Sequence, residues 1–405
     1  MNVLFFSPGF PVEMPRFVRG LARVGVNVLG VGDTPAAMLP EEARSSLHDY
    51  LRVRNLFDEG AVVREVQKWS QHVRIDQVEC LWEPGMLLAA RLREALGLPG
   101  MTVEQTIPFR DKSVMKQMLD DAGIRTPHHV RASTADEVRA GAERVGYPVC
   151  VKPIAGAGSA DTYRVDNDDE LEAVLKRITH VPEVSVEEFI EGEEYTFDTI
   201  CSGGRIHYYN VAWYRPRPLT ARTEEWISPQ TITLRDPDAP ELAGGVVMGQ
   251  KVLKALGFQA GFTHMEWFLK DNGEAVFGEI GGRPPGARSV DLMNYGNDID
   301  VYTGWAEAVC HGSFSQNIER KYNAAIIFKR AQGQGRIRHI EGLDTLLRQL
   351  GNTVATVDLL PVGAPRRNWK QTLVSDGYII LRHPDLKTTM ALADKVGTDL
   401  QIYAG

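Results

Sequence analysis

Cysteine is scarce: the 405 residues hold four, Cys80, Cys150, Cys201 and Cys310, far apart and with no C-x-x-C pair. With no clustered histidine either, a zinc site or a disulfide framework is not expected, and a reduced cytoplasmic setting fits best. No stretch of eighteen apolar residues occurs, so no transmembrane helix is expected. The short apolar run Val3-Leu4-Phe5-Phe6 lacks the preceding positive charges and the length of a secretion signal. Positive charge is in the minority, 45 Lys plus Arg against 53 Asp plus Glu, for a formal net charge of −8. A chain of that balance is a poor general binder of nucleic acid or anionic membrane, while a local basic pocket for a phosphorylated ligand remains compatible with it. Two phosphate-binding fingerprints are also missing. No G-x-G-x-x-G follows the first strand, and no G-x-x-x-x-G-K-[ST] is found, which disfavours a nicotinamide oxidoreductase and a P-loop enzyme.

What is present is ordinary for a folded chain: 43% apolar and 24% charged residues, with length for two to four domains. The opening reads as strand (Val3 to Phe6), Gly/Pro loop, helix (Arg16 to Val24) and strand (Val26 to Val31), a βαβ unit. Cys80-Leu81-Trp82 then leads into a helix over Leu87 to Leu96, so a Rossmann-like parallel sheet is expected through about residue 110. Beyond Asp111 the pattern predicts helices over 113–122 and 135–145, the second capped by Ser133 or Thr134. A βαβ-like core follows, from the strand at 148–152 through a helix at 168–177 to a strand at 184–190. Residues 213–229 read as a long irregular stretch, and strands near 324–330, 354–359 and 377–382 read as a smaller terminal domain. The whole predicts an α/β and α+β multidomain protein.

Four local strings carry chemistry. Lys152, at the end of an apolar strand, faces the small-residue loop Ala155-Gly156-Ala157-Gly158-Ser159-Ala160, a reasonable cradle for phosphate; an edge lysine beside a flexible turn would read the same. In Glu187-Glu188-Phe189-Ile190-Glu191-Gly192-Glu193-Glu194, extended backbone at Glu188 to Ile190 presents a carbonyl and an amide suited to an adenine edge. Glu194 would then accept from ribose hydroxyls, unless the string is simply a solvated acidic hairpin. The turn Asn272-Gly273 folds the strands 264–269 and 275–280 so that Glu266 and Glu279 become cross-strand neighbours. Adjacent carboxylates repel unless a divalent cation lies between them or both face solvent, and oxygen ligation is what Mg²⁺ with nucleotide phosphates requires. The run Gly281-Gly282-Arg283-Pro284-Pro285-Gly286-Ala287-Arg288 follows directly. It puts two guanidiniums, Arg283 foremost, where they suit a carboxylate or a developing oxyanion.

In this order, and with Lys112 in Arg110-Asp111-Lys112, these strings resemble the ATP-grasp superfamily, most nearly its carboxylate–amine ligases of the L-amino-acid-ligase and biotin-carboxylase-like kind. The resemblance spans roughly residues 1–390 and implies three parts. These are an N-terminal domain over 1–110, a two-lobed ATP-grasp domain over 111–320 (small lobe about 111–186, large lobe about 187–320) and a small C-terminal domain over 321–405. It implies ATP with Mg²⁺ or Mn²⁺, small carboxylate and amine substrates, and a homodimer. It assigns Lys112 and Lys152 to nucleotide phosphates, and Gly156, Gly158 and Ser159 to the loop over them. Glu187 falls near the adenine amino group, Glu188, Phe189 and Ile190 in the linker, Glu194 at the ribose, and Glu266 and Glu279 at the metal. Arg283 falls at the carboxylate or acyl phosphate, with Arg288 beside it. One position departs: where many members carry Asn two residues after the second metal Glu, this chain has Gly281. Arg215, Arg217, Arg222, Trp82, Glu83 and His264 are the candidates for substrate choice. The rival expectations are a formate- or bicarbonate-using enzyme of nucleotide-precursor synthesis and an ATP-binding sensor without turnover.

Overall fold

Apolar runs near the N-terminus form four parallel strands, β1 (Asn2–Phe6), β2 (Asn27–Gly32), β3 (Asp49–Arg52) and β4 (Gln77–Glu79), in the order β3-β2-β1-β4. The structure, a computed structural model, describes residues 1–154, 161–372 and 374–405. A parallel sheet is buried on both faces. One face, through Leu4, Phe6, Leu29 and Val31, packs on Val62, Val66, Leu88 and Leu92 of two following helices. The other face, through Val3 and Phe5, meets Phe17 together with Phe262, Tyr302 and Trp305 from much later in the chain. The Phe17 ring lies 4.8 Å from Tyr302 and 5.2 Å from Trp305. Gly20 permits that approach, since a Cβ there would sit 2.5 Å from the Tyr302 carbonyl oxygen. The strand expected at Cys80 to Trp82 ends at Glu79, because Pro84 turns the chain into a short 3₁₀ segment, Glu83–Gly85.

The small lobe is an antiparallel sheet of β5 (His129–Ala132), β6 (Val149–Pro153), β7 (Tyr163–Val165) and β8 (Val184–Glu188), ordered β5-β8-β6-β7. The expected βαβ unit is replaced by β7, the helix Asp168–Arg177 and β8 flanking β6 on both sides, each antiparallel to it. The helix Ala135–Val145 is capped by Thr134, which forms a reciprocal box with Glu137. The boundary expected at residues 186 and 187 falls inside β8, which stays in this sheet through Glu188.

The large lobe is built on β9 (Glu193–Ser202), β10 (Arg205–Asn210), β11 (Ala212–Arg215), β12 (Gln230–Thr233), β13 (Gly261–Leu269) and β14 (Ala275–Gly281). The strands expected of a separate terminal domain do form, as β15 (Asn323–Phe328), β17 (Val354–Leu359) and β18 (Gly377–His383). They lengthen this same sheet, in the order β14-β13-β9-β11-β12-β15-β18-β17, with β10 paired to β9. A small ribbon of β16 (Ile337–Glu341) and β19 (Gln401–Ala404) lies apart. The stretch 213–229 is not irregular. Trp213 and Tyr214 pair with Ile232 and Thr231, and Pro218 opens a short helix, Pro218–Thr223. Behind the sheet, the helix Ala243–Ala255 lays Gly245 against Trp267, where a Cβ would meet the indole at 2.2 Å. No helix among the described residues is long and apolar enough to cross a membrane.

Candidate active site

The helix Lys112–Asp121 starts at Asp111, whose carboxylate accepts from the Ser113 and Val114 amides at 2.9 and 3.0 Å. That start fixes Lys112 in the first turn and Lys116 one turn later, on the same face. Lys112 Nζ lies 3.1 Å from Glu279 Oε1, while Lys116, fully buried, donates to Glu187 Oε1. From β6, Lys152 Nζ comes within 3.0 Å of the other oxygen, Glu187 Oε2. Burial alone would raise the Glu187 carboxyl; the two ammoniums outweigh it and hold Glu187 far below the ordinary range. Burial lowers Lys116 to about 8, whereas at Lys152 the pull of Glu187 and Glu279 outweighs burial and raises it. The Glu187 carboxylate thus fixes a lysine pair instead of standing open. Lys116 was not among the sequence candidates, although its spacing of four from Lys112 was the available signal.

Glu266 and Glu279 face each other across β13 and β14, by a register more specific than the turn dictates. Next to the turn, Leu269 pairs with Ala275 and Trp267 with Phe277, which continued unbroken would set Glu279 opposite Met265 and on the other face. A bulge at Gly278 shifts the register by one and brings Glu279 opposite Glu266. A Cβ at Gly278 would lie 2.8 Å from the Glu266 carbonyl oxygen, so glycine suits the bulge. Tyr214 donates to Glu266 Oε1 at 3.3 Å, and His264 Nε2 lies 3.5 Å from the same oxygen. His264 Nδ1 pairs with the buried Asp198 at 2.6 Å, and Asp198 also accepts from Thr196 and Asn210. Burial would lower His264; Asp198 outweighs it and lifts the ring to about 9. His264, expected to touch substrate, is therefore engaged in orienting Glu266. Among the described residues no third His, Cys, Asp or Glu joins these carboxylates as a closed metal cage. Two carboxylates on one face suit Mg²⁺, which is held by few protein oxygens together with substrate phosphates and water. At Gly281, an added Cβ would meet Arg283 at 3.4 Å, ordinary contact.

Arg283 donates from Nε to Glu83 Oε2 at 2.8 Å, two hundred residues earlier, and Arg110 grips the other Glu83 oxygen. Burial would raise Glu83, but Arg283 and Arg110 outweigh it and keep it ionised below its ordinary range. The N-terminal domain thereby aims the arginine. Arg288 and Ala287 both adopt left-handed backbone, φ +64° and +54°, costly for residues with a Cβ. The Arg288 amide donates to Glu13 at 3.2 Å, while its Nε and Nη1 are buried without a hydrogen-bond partner among the described residues, Nη1 lying 3.7 Å from Asp291 Oδ2.

In the linker, the Glu188 amide donates to the His128 carbonyl and the Phe189 amide to the Pro148 carbonyl, so of the three linker amides the one without a backbone acceptor among the described residues is that of Ile190. The Glu188 side chain is bound by Arg125. Glu194 faces Arg217 at 3.5 Å, and Arg217 lies 4.7 and 4.9 Å over the rings of Phe189 and Phe268. Burial, with Glu266 adding, lifts Glu194 to about 8. Lys112, Lys152, Glu187, Glu188, Phe189, Ile190, Glu194, Glu266, Glu279, Arg283 and Arg288 all line one cavity of about 1100 Å³. Trp82, Glu83, Arg217, Arg222 and His264 line it too, whereas Arg215 is not in the lining and turns to Asp394 and Gln230. Gly156, Gly158 and Ser159 lie outside the described residues.

A parallel N-terminal sheet, a two-lobed body and a cleft of lysines and paired glutamates are what the ATP-grasp resemblance implies. The ATP-grasp domain family matches residues 109–212, and the ATP-grasp N-terminal domain family matches residues 22–100. The L-arginine-specific L-amino acid ligase of Bacillus subtilis is 25% identical over 215 residues, 51% of this chain and 51% of that protein. The alanine–anticapsin ligase of the same species is 25% identical over 279 residues, 63% of this chain and 58% of that one. The crystal structure of an L-amino acid ligase from Bacillus licheniformis superposes with a TM-score of 0.81 at 22% identity, covering 100% of this chain and 99% of the other. The chain spans about half to three-fifths of the length of these two curated relatives. Residues 22–100 and 109–212 are thus similar to ATP-grasp families, and the two curated relatives are ligases.

Proposed function

We propose that this chain is an ATP-dependent carboxylate–amine ligase acting on small molecules, amino acids foremost. The observation that carries the proposal is the convergence on one cavity of two opposed strand carboxylates, lysines from two elements and an arginine braced from another domain. Its volume of about 1100 Å³ is at the upper end of small-ligand pockets, which leaves room for a nucleotide and its co-substrates. In this reading a substrate carboxylate oxygen attacks the γ-phosphorus of ATP, and ADP leaves. The amine then attacks the resulting acyl phosphate, phosphate leaves, and the nitrogen gives up a proton. Glu266 and Glu279 would hold Mg²⁺ or Mn²⁺, which supplies charge neutralisation at the phosphates.

The chain's own residues carry the positioning. Lys152, fixed by Glu187, holds a positive charge at a set point in the cleft, and Lys112 adds a second beside Glu279. Arg283, which lines the cavity, is kept in one orientation by Glu83 and by the Pro284 carbonyl, so its guanidinium is in place before an oxyanion forms. The test is a screen for ADP release over amino acids and small carboxylates with Mg²⁺. ADP formation is expected only with an acid and an amine together. A rise in melting temperature with ATP, and no ADP with any pair, would mark a sensor instead.

A further inference from the structure

We propose that Arg222 and Arg330 form an anion subsite in the wall of this cavity, taking a carboxylate or phosphate carried by one ligation substrate in addition to its reacting group. The inference rests on the ligase reading and adds the substrate class. Both side chains line the cavity, Arg222 from the helix Pro218–Thr223 and Arg330 from just beyond β15. Arg330 donates to the carbonyls of Glu224 and Ala221 at 2.7 and 2.8 Å and lies 4.4 Å over the Trp369 ring. Arg222 donates to the Lys370 carbonyl at 2.8 Å. Arg330 Nε is buried with no hydrogen-bond partner among the described residues.

No carboxylate bonds either guanidinium among the described residues, and the acids nearby are committed elsewhere. Glu225 is bound by Arg366, and Asp376 accepts from the Ala331 and Arg367 amides at 2.8 and 2.7 Å. Glu224 takes the Trp226 indole at 3.0 Å, and Asp394 takes Arg215 at 3.2 Å. Lys112, Lys152, Arg217 and Arg283 in this cleft each face a glutamate, whereas Arg222 and Arg330 donate to neutral carbonyls alone among the described residues. Burial pulls Arg330 down to about 10, against the opposing pull of Glu225 and Asp376, and repulsion from Arg222 and Arg366 adds to the fall. An anion seated between the guanidiniums would relieve it through charge-assisted hydrogen bonds. Gln371 and Ser375 line the same wall and supply neutral partners for the remaining oxygens.

The experiment is calorimetric titration of the full chain, saturated with a non-hydrolysable ATP analogue and Mg²⁺ so that the nucleotide phosphate positions are filled. The probes are inorganic phosphate, succinate and the neutral succinamide. Phosphate or succinate should bind at least about tenfold more tightly than succinamide, the loss expected from one hydrogen bond to a charged group. Arg222→Gln should remove that preference and Arg222→Lys should keep most of it, a split that a merely structural role for Arg222 does not produce. Arg330→Gln gives a second reading should Arg222→Gln fail to fold. Tighter phosphate points to a phosphorylated substrate, tighter succinate to a dicarboxylic one. Equal binding of all three probes, or an Arg222→Gln variant that discriminates like the wild type, overturns the subsite. The ligase reading fails separately, if the analogue itself does not bind while the anion preference persists.

Discussion

The two ends of the cleft are charged alike and built differently. At the end proposed to hold the nucleotide, Lys116 and Lys152 share Glu187, Lys112 faces Glu279 and Arg217 faces Glu194, so each cation has an anion from the same chain. At the far end, Arg222, Arg330 and the neighbouring Lys329 rest on carbonyls and a hydroxyl. Where the counter-charge outweighs burial the cation is raised, as at Lys152; where burial prevails it falls, to about 8 at Lys329 and about 10 at Arg330, and at the fully buried Lys116 to about 8 even beside Glu187. A cation with a built-in partner is fixed before substrate arrives; one without a partner is available to bind an incoming anion.

The comparison breaks most sharply at Glu187. Glu187→Gln leaves two buried ammoniums without their anion and should cost about 3–5 kcal/mol of stability, read by denaturant unfolding. A loss under about 1 kcal/mol would mean that the lysines are wet and the two ends are not distinct. Next in size, Glu279→Gln should lower ADP release by roughly a hundredfold or more while leaving the unfolding midpoint nearly unchanged, since it alters a cavity-facing carboxylate and no core volume. Unchanged turnover would remove the metal assignment. Glu83→Gln, which weakens the brace on Arg283, should lower kcat/KM for the acid by about tenfold, with Glu83→Asp intermediate.

The smallest expected effect concerns pH. Lys329 sits at about 8 when folded and at its ordinary value near 10.5 when unfolded. Between those values the unfolded chain binds more protons, so the destabilising contribution of this lysine fades as pH rises. Any stability advantage of Lys329→Met over the wild type should therefore shrink between pH 7 and pH 10. An advantage that grows over that interval would place a hidden anion at the far end and erase the contrast.

Much of the nucleotide end was legible because short strings carry it: Lys152 ends an apolar strand, and Glu266 and Glu279 flank a turn. Even there the reason differed, since equal distance from Asn272-Gly273 is not enough and the bulge at Gly278 completes the alignment. The Glu83–Arg283 brace was beyond reach, because a contact between residues two hundred apart leaves no local periodicity. Trp213 to Pro229 reads as irregular since its strand is only four residues long and is stabilised by β12, and its helix begins at a proline. The fold class was plain from alternation; the merging of the terminal strands into the large sheet was not, because pairing partners are chosen in three dimensions.

That merging bears on how the molecule is made. β15 takes β12 on one side and β18 on the other, and β18 is formed by residues 377–383. Until those residues leave the ribosome, the nascent large lobe presents Ile326 and Ile327 on an open strand edge, a site for pairing with other chains. In the interval between synthesis of β15 and of β18 that edge therefore stands without its partner strand.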